Sequence, residues 1–188
     1  MIRRTLLAGA SVAPLLAALF SGNAQAHGPT PHKSDESITL KADPAKVWKV
    51  IENFGDLSWN PVAEKVESKG GNDPQAGADR TYTLKPGKTY KGGGQMDESL
   101  DDYPPKQMTY SWRLESQDVE SFPVSFYSAT ITVTPADGDG SKVAVEGRFY
   151  RGDTGNEPAA GQDDAAAEAA MAEFLQTGLD GIKAKVGG

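Results

Sequence analysis

From residue 62 to residue 151 the side chains change character at every second position, and one long helical pattern follows. Tyr82 and Leu84 alternate with Thr81 and Thr83. Met108, Tyr110, Trp112 and Leu114 alternate with Thr109, Ser111 and Arg113. Tyr127, Ala129, Ile131 and Val133 alternate with Ser128, Thr130 and Thr132, and Val143, Val145, Gly147 and Phe149 with Ala144, Glu146 and Arg148. Successive strand side chains point to opposite faces, so this pattern has one face to bury. Turn residues separate the runs at Gly70–Pro74, Pro86-Gly87, Tyr103-Pro104-Pro105 and Asp137–Gly140. The reading is an antiparallel meander of about six strands. Val62 to Glu67 is its weakest member. Thr89 to Leu100 reads as a strand interrupted by a bulge or bend at Gly92-Gly93-Gly94.

A sheet with one apolar face needs a cover, and the sequence supplies one. A helix is predicted from about Asp163 to Lys185, with Met171, Phe174, Leu175, Leu179, Ile182 and Val186 at helical spacing. Asp163, Asp164 and Glu168 suit its positive end, Lys183 and Lys185 its negative end. Gly178 and Gly181 weaken it and are read as permitting close approach to the sheet. Ahead of the meander, Ile38 and Leu40 mark a first strand. Asp43-Pro44 opens a helix with Val47, Val50, Ile51 and Phe54 on one face, and Gly55 is expected to close it as a left-handed cap. The predicted fold class is α+β: a curved antiparallel sheet wrapped on a long C-terminal helix.

The first residues read as an address. Arg3 and Arg4 precede an apolar run from Leu6 to Phe20, and Ala24-Gln25-Ala26 offers a cleavage site. The apolar run is shorter than the roughly 20 residues a membrane span needs. The expected organisation is a signal peptide over 1–26, a flexible tail over 27–35 and one domain over 36–186. The expected compartment is the periplasm. The whole chain has 188 residues and a formal charge of −7, from 19 Lys and Arg against 26 Asp and Glu. Cleavage after Ala26 removes two of the Arg, so 17 against 26 leaves −9. That balance argues against nucleic acid, which needs concentrated positive charge.

Chemistry is thin in this chain. There is no Cys, so disulfides, thiolate metal sites and Cys nucleophiles are excluded. The only histidines are His27 and His32, both in the expected tail, so no His-dependent triad is expected inside the domain. A cleaved chain would begin at His27, whose amine and imidazole could chelate copper with His32 nearby. A solvated tail is the plainer reading, and no metal or cofactor is expected. The acidic pairs Asp97-Glu98, Asp101-Asp102 and Asp163-Asp164, and Asp137-Gly138-Asp139, read as turns and solvated edges. Trp59, Tyr82, Tyr110, Trp112, Phe126, Tyr127 and Phe149 lie on or beside the buried face. They are core packing, the wall of a cavity for an apolar ligand, or both. The ligand candidates are Trp59, Tyr82, Tyr110, Trp112, Tyr127 and Phe149, with Arg80 as anchor for an anionic headgroup. Arg113 and Arg148 have the opposite parity and are assigned to the surface.

Several strings, in order, carry a resemblance. They are Val47-Trp48, Phe54–Pro61, Gly77–Arg80, Glu98–Asp102, Tyr110-Ser111-Trp112 and Pro123–Pro135. With the element order they resemble the START-like, Bet v 1-like superfamily (SRPBCC, polyketide cyclase-like), whose fold is the helix-grip, over about residues 36–186. Within it, His27–His32, Phe122–Thr130 and Phe149–Gly155 are most similar to the MxaD-type periplasmic proteins of methylotrophic bacteria. That resemblance implies a non-catalytic accessory role in methanol oxidation, with methanol dehydrogenase and its cytochrome c acceptor as partners. Where many relatives carry Trp-His-Pro, this chain has Trp59-Asn60-Pro61, so activity ascribed to that His does not carry over. The alternative is a carrier for a hydrophobic small molecule in an aromatic-lined cavity. A third reading, an aromatase/cyclase, would have only Tyr, Arg and acidic groups as acids and bases.

Overall fold

The computed structural model describes residues 28–187. The expected signal peptide and His27 lie outside them. The elements are β1 (His32–Leu40), α1 (Pro44–Ile51), β2 (Ala63–Lys69), β3 (Asp79–Leu84), β4 (Gln95–Asp102), β5 (Thr109–Gln117), β6 (Val124–Ala136), β7 (Gly140–Arg151) and α2 (Asp164–Val186). All seven strands form one antiparallel sheet in the order β1-β7-β6-β5-β4-β3-β2. The predicted α+β helix-grip architecture is the one found.

The alternation does the sorting. Arg80, Tyr82 and Leu84 of β3, Tyr110 and Trp112 of β5, Tyr127, Ala129, Ile131 and Val133 of β6, and Val143, Val145 and Phe149 of β7 are buried. Against this face lie Ala167, Ala170, Met171, Phe174, Leu175, Leu179 and Ile182 of α2. Each large apolar side chain so buried contributes roughly 1.5–3 kcal/mol. Gly147 leaves room for α2, because a Cβ there would sit 2.5 Å from Met171 Cε. Asp163 caps α2 by accepting from Ala166 N at 2.9 Å, and Asp43 caps α1 by accepting from Ala45 N at 2.8 Å.

Four local expectations are corrected. The tail is shorter than 27–35, since His32 to Asp35 already belong to β1 and pair with Phe149 to Glu146 of β7. The strand is polar because it is a sheet edge, half-exposed along most of its length. The triglycine is not a bulge inside a strand but part of the loop before β4. Gly92 and Gly93 have φ of +65° and +85°, and a Cβ on Gly92 would strike the Lys85–Pro86 backbone. Helix α1 ends at Ile51 with a right-handed Glu52 cap, so Gly55 does not close it. Gly178 and Gly181 admit the Trp59–Pro61 segment rather than the sheet: a Cβ on Gly181 would collide with Trp59 O and Pro61.

His32 is the other surprise of the first strand. Its ring stacks on Phe149 at 5.7 Å, with Nε2 3.0 Å from Asp164 Oδ1 and Nδ1 2.8 Å from Glu168 Oε1. Arg151 Nη1 donates to the other Asp164 oxygen at 2.9 Å. These contacts fasten β1 and β7 to the start of α2. Burial pushes the Asp164 carboxyl up, but the bonds from His32 and Arg151 outweigh it and hold it below the ordinary aspartate range. A depressed carboxyl contributes stability above its unfolded value of about 3.9, which is lost as pH falls through the lower folded value. Thermal melts from pH 7 to pH 3 should therefore show the wild type losing more of its melting temperature below about pH 4 than Asp164→Asn. Parallel acid limbs would remove Asp164 from the account.

Candidate functional site

The strongest chemistry sits under the sheet between β3, β4 and β6. Arg80 Nε donates to Glu98 Oε2 at 2.5 Å, and Arg80 Nη1 donates to Phe54 O at 2.9 Å. The Tyr82 and Tyr127 hydroxyls both donate to Glu98 Oε1, Tyr82 at 3.0 Å. Arg80 and Glu98 are only 3% and 1% exposed, so this is a fully buried ion pair. The guanidinium lies 4.2 Å above the Phe54 ring and 5.2 Å from that of Trp112, favourable positions for a desolvated cation. Burial alone would lower the Arg80 guanidinium, and the Glu98 charge beside it raises it above its ordinary value. Burial, with Glu98 alongside, pushes the Tyr82 hydroxyl well up. Tyr82 thus stays a donor and is unsuited to act as a base at neutral pH.

Beside this network, between the sheet and α2, lies a cavity of about 20 Å³. Trp59, Asn60, Arg80 and Trp112 supply its polar lining, and Phe174 and Leu179 of α2 help to close it. A space of roughly 10–15 Å³ holds one water, so this one admits little more. The indole Nε1 atoms of Trp59 and Trp112 are buried without a hydrogen-bond partner. Asn60 Oδ1 accepts from Val62 N at 3.2 Å, and an amide neither gains nor gives a proton at neutral pH. None of these lining side chains is a nucleophile.

The sequence candidates are divided by the fold. Trp59, Trp112 and Arg80 line the cavity, and Tyr82 and Tyr127 meet at Glu98. Tyr110 does not line the cavity; it packs among Trp48, Phe54, Tyr103 and Trp112, of which Phe54 and Trp112 also flank Arg80. Phe149 stacks on His32 instead. Arg113 and Arg148 are exposed, as their parity predicts. Sequence reasoning missed Glu98, taking Asp97-Glu98 for a solvated edge. The signal was its parity with Met96 and Leu100, both buried. Asp137–Asp139 forms the β6–β7 hairpin turn, with φ of +68° at Gly138 and +59° at Asp139. Among the described residues no three His, Asp or Glu side chains converge as metal ligands, and no helix is long and apolar enough to cross a membrane.

A curved sheet gripping a C-terminal helix over a small, aromatic-walled space defines the START-like, Bet v 1-like class. A family profile described as polyketide cyclase / dehydrase and lipid transport matches residues 31–187. The chain belongs to that family. Among solved structures it is similar to the protein XoxI from Bacillus cereus, with 20% identity and a TM-score of 0.64 over 82% of this chain and 94% of that one. It is also similar to the Zhui aromatase/cyclase from Streptomyces sp. R1128, with 14% identity and a TM-score of 0.67 over 84% and 94%. Norcoclaurine synthase from Thalictrum flavum gives 14% identity and a TM-score of 0.61 over 98% of each chain. At such identities these likenesses concern the fold. A search of curated protein sequences gives no match.

Proposed function

We propose that this chain is a non-catalytic periplasmic accessory protein of methanol oxidation, assisting the interaction or electron transfer between methanol dehydrogenase and its cytochrome c acceptor. The observation that carries a surface role is the filled grip. A carrier or cyclase receives its ligand in a space of roughly 300–1,000 Å³, against about 20 Å³ here. The buried acid is saturated as well: Glu98 accepts from Arg80, Tyr82 and Tyr127, which leaves it no role as a free base. The particular pathway rests on the resemblance of the first residues and of the Phe122–Thr130 and Phe149–Gly155 strings. The acidic balance suits salt-sensitive association with a basic partner. Mature protein should retain methanol dehydrogenase or its cytochrome in a pull-down at low salt and release it at high salt. Retention of neither protein at low salt removes the reading.

One observation favours a second reading, a binding protein for a hydrophobic small molecule. A buried donor without a partner costs roughly 1–3 kcal/mol, and two of the residues around the cavity, Trp59 and Trp112, each carry one. An apolar molecule with an oxygen acceptor would satisfy them if the Trp59–Pro61 segment swung away from α2. Native mass spectrometry of protein purified from its own host would show the added mass. A bare polypeptide mass would count against the carrier.

A further inference from the structure

Phe126 is 75% exposed, the one large hydrophobic side chain so placed among the described residues. Its backbone has φ of +49°, a left-handed conformation that bulky residues rarely adopt. The cause is a bulge in β6. Between the Ser125–Tyr150 and Ser128–Arg148 pairs, two residues of β6, Phe126 and Tyr127, face one of β7, Phe149. The bulge keeps Tyr127 turned inward to Glu98 and throws Phe126 outward. That need explains the bulge but not the aromatic, because a glycine would accept the same conformation without strain. The exposed ring meets Tyr150 edge-on at 6.4 Å and, with Pro29 and Thr154, forms an open apolar platform. A side chain that burdens the fold, yet is not buried by it, is a mark of recognition.

The surroundings state the partner's chemistry. The segment 152–163, which supplies Thr154, carries Asp153, Glu157 and Asp163 and no Lys or Arg. The cation before it, Arg151, is turned inward onto Asp164 and the carbonyls of Asp153 and Gly155. Arg148 is paired with Glu146. In a chain cut after Ala26 only His27 would precede Gly28, too little to cover the platform. We propose that the Phe126 platform is the docking surface for a partner protein presenting an apolar recess ringed by Lys or Arg. This rests on the accessory reading above and names the surface through which it works.

The test titrates mature wild type, Phe126→Ser and Phe126→Gly against purified methanol dehydrogenase and its cytochrome c at low salt, with thermal melts and gel filtration alongside. Both variants should bind at least tenfold more weakly, and Phe126→Gly should melt no lower than wild type. Wild-type binding that both variants retain overturns the docking surface and leaves the accessory reading intact. Wild type that binds neither protein overturns both. A wild-type dimer that becomes monomeric in both variants would make a second copy the occupant, and so overturn the proposed partner.

Discussion

Glu98→Ala is expected to cost about 3–5 kcal/mol of stability, because it strands the Arg80 guanidinium in the interior. Arg80 is 3% exposed, and its remaining strong acceptor would be the Phe54 carbonyl. The Tyr82 and Tyr127 hydroxyls would lose their acceptor in the same change. The size of the loss would reflect the abandoned charge rather than the net value of the pair. Removing both charges separates the two: Arg80→Met with Glu98→Leu should fall well short of the single-variant loss. Urea unfolding monitored by Trp fluorescence reads this directly, as a midpoint shift at unchanged slope. A Glu98→Ala loss below about 1 kcal/mol would mean that the pair is not sealed from water.

Phe174→Ala is expected to cost about 3–5 kcal/mol, the usual range for a large ring removed from a core. Phe174 is the side chain of α2 that meets two rings of the sheet side, Phe122 at 5.2 Å and Tyr127 at 6.0 Å. It also walls the small cavity, so its loss should merge the space of the ring with that space. The part vacated by the ring would be walled by apolar side chains such as Ile131, Leu175 and Leu179, and apolar voids of that size bind small apolar probes. The variant should therefore show both a lower melting temperature and a rise of that temperature with added benzene or a similar probe. A loss without such a rise would mean that α2 had collapsed onto the sheet.

The order of elements was legible because alternation and helical spacing are local properties. The strand, helix, six strands and final helix follow from positions such as Tyr82/Leu84 and Phe174/Leu175 without knowledge of contacts. Errors occurred where a distant partner decides the outcome. His32 looks like tail residue until β7 provides a row of pairing groups and α2 provides Asp164 and Glu168. Glu98 looks like a solvated acid until Arg80 from the neighbouring strand neutralises it. The cavity candidates were chosen by parity, which assigns a face but no position along it. Tyr110 and Phe149 therefore share the buried face with Trp112 yet do not line the cavity. How closely α2 approaches was beyond pattern reading, since it depends on a Gly181 backbone meeting the Trp59–Pro61 segment.

The bond from His32 to Asp164 joins positions 132 residues apart, and the first strand pairs with the last. Such long loops must close before their contacts stabilise anything, which makes folding slow. A nascent chain halted before Asp164 would present the aromatic sheet face with nothing laid across it. It should stay sensitive to proteases and prone to aggregate until α2 has emerged and docked. Completion of the fold is thus tied to the emergence of α2 after the whole sheet, and any holdase that protects this chain has that interval in which to act.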